Sequence, residues 1–289
     1  MFIDIHVSPA FFEPITPDAE TAESRRSSMG LWKSQVVPLS HIWHQMACAG
    51  LDQLCLLARY APDGDRLADV TNEQVSQLVS QSDGRFIGIA SLDPTSPEAP
   101  SQCERAFTDL GLSGLYLSPV TGHYYPTDEH LDAIYDQCER FNKPVLFEAG
   151  LSWEPGALSR FGHPLAFEEL AEQRPALRIC LSGFAWPWVA ETAMIMLKHP
   201  NVYTDTAALH FDNAQEFYEQ IFTRDIPITL VDRSLKHQVM FGSGNPRFEQ
   251  IRMAQALDKL GFRESTLELM RGQNAEEFIG VGSPKQGQE

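Results

Sequence analysis

No run of about eighteen uninterrupted apolar residues occurs in this 289-residue chain, so a transmembrane helix is not expected. Met1 leads straight into Phe2-Ile3-Asp4-Ile5-His6, with no basic region followed by an apolar core, so no secretory signal is expected. Cysteine is scarce and scattered. Cys48, Cys55, Cys103, Cys138 and Cys180 form no Cys-x-x-Cys pair, which argues against a zinc ribbon or a disulfide framework. Free thiols in a reducing cytoplasm are the plain expectation. Positive charge is also short: 22 Lys and Arg face 39 Asp and Glu, a formal net charge of −17. Nucleic acid and anionic membrane surfaces would be repelled, and neither is expected as a partner. An anionic small molecule is not excluded, because a local Arg outweighs a distant field. Phosphate-binding Gly-x-x-x-x-Gly-Lys-Ser/Thr, dinucleotide-binding Gly-x-Gly-x-x-Gly and the Gly-x-Ser-x-Gly nucleophile elbow are all missing. Ser243, in Gly242-Ser243-Gly244, has no His near it in sequence to mark it as a nucleophile.

Hydrophobic residues make up 43% of the chain, enough for a sizeable core. Short apolar runs at residues 2–6, 53–58, 86–92, 114–118, 144–149, 178–182, 202–205 and 238–242 read as strands. Most are continuous rather than alternating, the pattern of parallel strands buried on both faces. Helical spacing is read at residues 40–49, 71–80, 128–141, 163–173, 188–198, 213–223, 248–260 and 265–272. Thr71 fits an N-terminal cap, and Gly111 and Gly261 fit helix stops. Eight β-then-α units predict an α/β chain of the (β/α)8 barrel type, a single domain over residues 1–289. By count alone, an open doubly wound sheet remains the competitor. Residues 8–37, rich in Pro, Ser, Thr and Glu, are the least regular stretch and are expected as a lid-like loop after the first strand. The polar tail 280–289 is expected to fray.

Several phrases, in order, then acquire a common meaning. They are Ile3-Asp4-Ile5-His6, Gly84-Arg85-Phe86-Ile87-Gly88-Ile89-Ala90-Ser91-Leu92-Asp93-Pro94, Pro144-Val145-Leu146-Phe147-Glu148-Ala149-Gly150, Pro200-Asn201-Val202-Tyr203-Thr204-Asp205 and Met240-Phe241-Gly242-Ser243-Gly244-Asn245-Pro246, with Gln273-Asn274-Ala275 at the close. Over nearly its whole length the chain resembles the amidohydrolase-related family, in the branch of aminocarboxymuconate-semialdehyde and resorcylate decarboxylases. That resemblance implies a barrel with one divalent metal, held by a His-x-His pair on the first strand, a His ending the fifth, a His after the sixth and an Asp ending the eighth. This sequence departs from the pattern. His6 stands at the first ligand position, but Ser8 takes the second and Glu148 the fifth-strand position. Leu181 or Ser182 stands at the sixth, and Gly244 replaces the Asp. A catalytic zinc needs about three protein ligands from His, Asp, Glu or Cys, and two remain. No metal or other cofactor is therefore expected; a single divalent ion such as zinc, held through rearranged ligands, is the alternative.

The residues left at the strand ends carry the candidate chemistry. His6, Glu148 and Asp205 are the expected catalytic groups. His6 would act as acid/base or oxyanion donor, although a lone His also serves as a hydrogen-bonded structural residue. A carboxylate ending an apolar strand, as Glu148 does, costs free energy unless paired or neutralised, and such a group acts as a base of raised pKa. The plain alternative is an ion pair, for instance with His6. Asp205 equally suits capping of its loop. Ser8, Tyr116, Trp153, Trp186, Asn245 and Arg247 are the expected substrate contacts. Arg247 would clamp a carboxylate in bidentate fashion, or else form a rim salt bridge. His123, Tyr124, Tyr125 and Trp188 are further candidates for pocket walls, while His163 and His210 are expected at the surface. An aromatic-walled pocket suits a flat organic molecule. The expected function is metal-independent hydrolysis or decarboxylation of a small organic acid, lactone or aromatic carboxylate. The alternative is a non-catalytic barrel that binds a small molecule or partners an active paralogue, with a mouth filled by Leu181, Trp186 and lid side chains. The resemblance also implies a homodimer, a form frequent in that branch.

Overall fold

Eight apolar runs become eight parallel strands: β1 (Ile3–Val7), β2 (Gln53–Leu57), β3 (Phe86–Ile89), β4 (Leu115–Leu117), β5 (Val145–Phe147), β6 (Ile179–Leu181), β7 (Val202–Asp205) and β8 (Val239–Met240). The structure is a computed structural model that describes residues 1–62, 64–207, 209 and 213–280. The expectations for His210 and for residues 281–289 fall outside the described residues. Regular ladders give two groups, β1-β2-β3 and β4 to β8 in order. Both seams between them are bridged. Ala90 pairs with Leu115, and Val7 with Asn245. Ile5 N donates to Phe241 O at 3.0 Å and Gly244 N to His6 O at 3.1 Å, so the sheet closes on itself. Closure leaves no edge strand and decides against the open sheet.

Two hydrophobic layers follow from closure. Outward side chains pack on the surrounding helices, while Ile3, Ile5, Cys55, Leu57, Ile87, Ile89, Leu146, Cys180, Tyr203 and Met240 fill the barrel interior. The terminal helix Asn274–Ile279 plugs the bottom with Ala275, Phe278 and Ile279, and the Phe278 ring lies 5.1 Å from Tyr203. Thr71 caps helix Asn72–Ser80 in a full capping box with Gln74. No helix among the described residues is long and apolar enough to cross a membrane.

Of the helices that depart from the sequence expectation, among them a helical stretch over residues 228–235, two bear on the architecture. Ala99–Thr108 buries Ala99, Cys103, Ala106 and Phe107 between β3 and β4. Its proline is near the N-terminus, where no backbone N–H is needed. The second lies within residues 8–37, which were expected to be irregular: Ala19–Met29 is an 11-residue helix, N-capped by Asp18 and ended by Gly30 at φ 63°. Its inner face is held by a charge. Arg25, 1% exposed, donates to Ala10 O, Ile15 O and Thr16 Oγ1, and across to Asp69 O and Gln74 Oε1. The guanidinium thereby satisfies carbonyls from three separate segments, and burial pushes its pKa down to about 10.

Candidate active site

Alternation along a strand places every second side chain inside the barrel. The interior residues Leu57, Leu146, Cys180 and Tyr203 are therefore followed, two positions on, by Arg59, Glu148, Ser182 and Asp205 at the C-terminal mouth. β1 reaches the same level differently. Its pairing with β2 shifts register between Asp4 and Val7. Ile5 faces the interior, Val7 packs in the outer layer, and His6 turns into the mouth. A bulge re-aims a side chain in this way. Beside it, Asp4 points outward and is fully buried, accepting from Ser243 N and Oγ and from Gln250 Nε2. That answers what Ser243 does: it ties β8 to β1.

The mouth encloses a cavity of about 130 Å³. The size is close to the roughly 150 Å³ that holds a benzene ring in an engineered core cavity. His6, Ser8, Tyr116, Glu148, Trp153, Trp186, Asn245 and Arg247 all line it, so eight of the nine expected site residues converge. Met29 and Leu31 from residues 8–37 form part of the wall. Leu181 does not reach the cavity; it is buried in the outer layer. The mouth is open rather than filled.

Asp205 is the ninth, and it sits beneath His6 rather than in the cavity. Its Oδ2 lies 3.3 Å from His6 Nδ1, while Oδ1 accepts from Gly183 N at 2.8 Å and Ala207 N at 2.9 Å. It thus caps its own loop and contacts the imidazole as well. Burial alone would raise its pKa, but His6 and the two amides more than reverse this, leaving it below the usual value. For His6 burial pulls downward, and Asp205, with Asp4 and Glu148 behind it, outweighs that and raises the pKa. Gly242 and Gly183 make the arrangement possible. A Cβ on Gly242 would lie 3.2 Å from His6 Cβ and from Asp205, and one on Gly183 would stand 2.4 Å from Ala207 O.

Glu148 does not pair with His6. Ser118 donates its hydroxyl to Glu148 Oε2, and Thr121 in turn donates to Ser118 Oγ. Burial raises the Glu148 pKa to about 7, with the neighbouring Glu154 carboxylate adding to it. Arg247 forms no ion pair among the described residues: it donates to Met29 O at 2.5 Å and Gly30 O at 3.5 Å, and its guanidinium lies 5.8 Å from the Trp153 ring. The rim salt bridge is replaced by a cation facing the cavity.

Other aromatic expectations fall away from the cavity. Trp188 packs at a tilt against His163 with ring centroids 4.5 Å apart, His123 lies over Phe161, and Tyr125 is exposed. Tyr124 lines a second hollow with Tyr60, Ser118 and Thr121, which shares Arg59, Tyr116 and Glu154 with the first. The sequence reading missed Arg59, Glu154 and Ser118. Arg59 was within reach, being two residues past Leu57 on an inward-facing strand. Glu154 and Ser118 carry no such signal.

The family model for amidohydrolases matches residues 58–281. This chain belongs to the amidohydrolase family. The 2-amino-3-carboxymuconate-6-semialdehyde decarboxylase of Dictyostelium discoideum is 24% identical over 250 residues, 76% of this amidohydrolase and 68% of the relative. An uncharacterised TIM-barrel protein from Bordetella bronchiseptica superposes with a TM-score of 0.75 at 20% identity, covering 96% of this chain and 98% of that one. A 5-carboxyvanillate decarboxylase from Novosphingobium aromaticivorans, complexed with manganese and 4-hydroxy-3-methoxy-5-nitrobenzoic acid, does so with 0.68 at 16%, covering 97% and 96%. At these identities the likeness establishes the fold.

The manganese of that neighbour raises the question of fit. In this amidohydrolase His6 Nδ1 is engaged by Asp205 and lies 3.3 Å from Ser182 Oγ. Asp205 has both oxygens occupied, and Glu148 is held by Ser118. Ser8 and Ser182 offer only neutral hydroxyls. Among the described residues no group of three or more His, Cys, Asp or Glu is placed to hold an ion. The donor set does not fit a divalent metal.

Proposed function

We propose that this amidohydrolase is an enzyme that decarboxylates or hydrolyses a small organic acid, a single-ring aromatic carboxylate or lactone by size, using side-chain acid/base groups in place of a metal. One observation carries the reading: Glu148, His6 and Arg247 face the same 130 Å³ cavity in complementary states. Glu148, with its pKa near 7, is available both as acid and as base at neutral pH. His6 presents Nε2 to the cavity once Nδ1–H is given to Asp205. Arg247 supplies a guanidinium with no carboxylate of its own.

In a decarboxylation Arg247 would hold the substrate anion and Glu148 would deliver its proton to the carbon that bears the carboxylate. The C–C bond electrons remain with that carbon and CO2 departs, leaving Glu148 ionised until solvent reloads it. In a lactone hydrolysis His6 Nε2 would take a proton from the attacking water as Glu148 protonates the departing alkoxide. The aromatic walls of Trp153 and Trp186 suit a flat ring.

The test is a screen of hydroxybenzoates, related dicarboxylates and lactones for CO2 release or ring opening, with elemental analysis of the same preparation. Turnover that survives chelation, at well below one equivalent of zinc or manganese, is expected. Glu148→Gln and His6→Ala should each lower kcat by roughly 100-fold or more. Turnover unchanged in both variants would overturn the assigned roles. Stoichiometric metal that activity tracks would overturn the metal-free chemistry.

A further inference from the structure

Arg59 is a second cation at the mouth, and its surroundings are those of an occupied seat. The side chain is 8% exposed and lines both hollows. Two of its bonds fix it to the scaffold: Nη1 donates to Ala68 O at 3.3 Å and Nη2 to Ser28 Oγ at 2.9 Å. The remaining face of the fork, Nε and Nη2, is taken by Glu154 at 3.1 and 2.9 Å. This two-point geometry is the one in which a guanidinium receives any carboxylate. A cation this deep needs an anion beside it, but the requirement does not specify whose.

Apart from Arg59, the Glu154 carboxylate has no side-chain hydrogen bond among the described residues. Its backbone is held by Glu154 N on Ser152 Oγ and Ala157 N on Glu154 O, both 3.2 Å, and by His123 Nε2 at 2.9 Å from Gly156 O. Glu154 belongs to the segment between β5 and the short helix Ser159–Gly162, whose ends are pinned by Leu151 N to Trp186 O and Leu158 N to Val120 O, both 2.8 Å. Within that span the neighbouring Trp153 is 44% exposed. Gly156 has φ 81°, and a Cβ there would meet nothing within 4 Å. The carboxylate can leave Arg59 by rotation about the bonds of its own side chain, with the backbone of the segment in place.

We infer that Arg59 is a second anion seat, and that Glu154 occupies it until the carboxylate of a bound ligand takes its place. The inference rests on the reading of the cavity as an organic-acid site. It adds that the fitting ligand carries two anionic groups across one ring, the first on Arg247 and the second on Arg59. Glu154 then acts as a latch: it keeps the buried guanidinium neutralised while the site is empty and swings out when the ligand arrives. A ligand with one carboxylate would be held by Arg247 and leave the latch closed.

The experiment uses three probes, benzoate, isophthalate and terephthalate, with affinities measured by calorimetry on the unaltered protein and on Glu154→Gln. Removing the competing charge should tighten at least one of the dicarboxylates by about tenfold relative to benzoate. In the unaltered protein the same dicarboxylate should change the fluorescence of Trp153, the residue next to the latch, assigned with Trp153→Phe, more than benzoate does. This second measurement needs no change at Glu154, so it stands even where Glu154→Gln misfolds. The inference is overturned if neither dicarboxylate binds, if the ratio to benzoate stays the same, or if Trp153 responds equally to all three. Failure of the parent reading looks different: benzoate binding would be indifferent to Arg247→Met, whatever Arg59 does.

Discussion

His6 Nδ1 lies 3.3 Å from Asp205 Oδ2, between residues at opposite ends of the chain, and this single contact assigns the two ring nitrogens their roles. With Nδ1–H committed to the carboxylate, the neutral ring carries its lone pair on Nε2, and the raised pKa makes that nitrogen the one that gains the proton.

Replacing Asp205 by Asn removes the charge while keeping an oxygen for the Gly183 and Ala207 amides. The His6 titration midpoint should fall, because burial would then be opposed only by Asp4 and Glu148. NMR of the His6 ring protons reads this without any substrate. On an identified substrate kcat should drop by roughly 100-fold or more with KM little changed, and the limb of the pH profile assigned to His6 should move with the midpoint. An unmoved midpoint would contradict a positioning role for Asp205.

Glu148 provides a test through stability. Its folded pKa, about 7, lies above the usual 4.5, so over that interval the folded state keeps a proton that the unfolded chain has lost. Stability from this group therefore falls as pH rises from about 4.5 to about 7 and is constant outside that window. Glu148→Gln removes the penalty. The variant should melt close to the parent at pH 4.5 and above it at pH 8, by an amount not exceeding about 3 kcal/mol. A difference independent of pH would mean that Glu148 is not held protonated.

Arg25→Met should detach helix Ala19–Met29 from the barrel. The substitution keeps an unbranched stem but takes away the side-chain donor to Asp69 O and leaves Ala10 O and Ile15 O only their bonds from Thr16 and Gln74. A loss of about 3 kcal/mol or more is expected in denaturant unfolding, together with faster amide exchange across residues 19–29. Exchange rising everywhere equally would show that this helix is not a separate unit.

Ser8→His with Glu148→His should create what the parent lacks. With His6 they supply three imidazoles at the cavity, the number a catalytic zinc requires. Close to one equivalent of zinc is expected in elemental analysis of the double variant after dialysis, against a small fraction in the parent. No gain would mean that the mouth has lost the shape of a metal site as well as its ligands.

What the sequence determined by itself was the set of eight buried strands; that they close into a barrel rather than an open sheet only the structure decided. Eight continuous apolar runs are a local signal, since a strand covered on both faces must be apolar throughout, and all eight appear as strands within a few residues of where they were read. The convergence of His6, Ser8, Tyr116, Glu148, Trp153, Trp186, Asn245 and Arg247 was legible for a related reason: in a closed parallel barrel, residues at the C-terminal ends of the strands share one mouth. Helix Ala19–Met29 was not legible, because its buried face carries Thr21 and Arg25 beside Ala22 and Met29 and so shows no continuous apolar stripe. The pairings inside the mouth were not legible either. Asp205 beneath His6, Glu154 on Arg59 and Ser118 on Glu148 join residues far apart in the chain. They depend on which polar group a buried charge finds nearest, a matter of a few ångströms set by the bulge in β1 and by glycines such as Gly242, and only the closed tertiary structure fixes that distance.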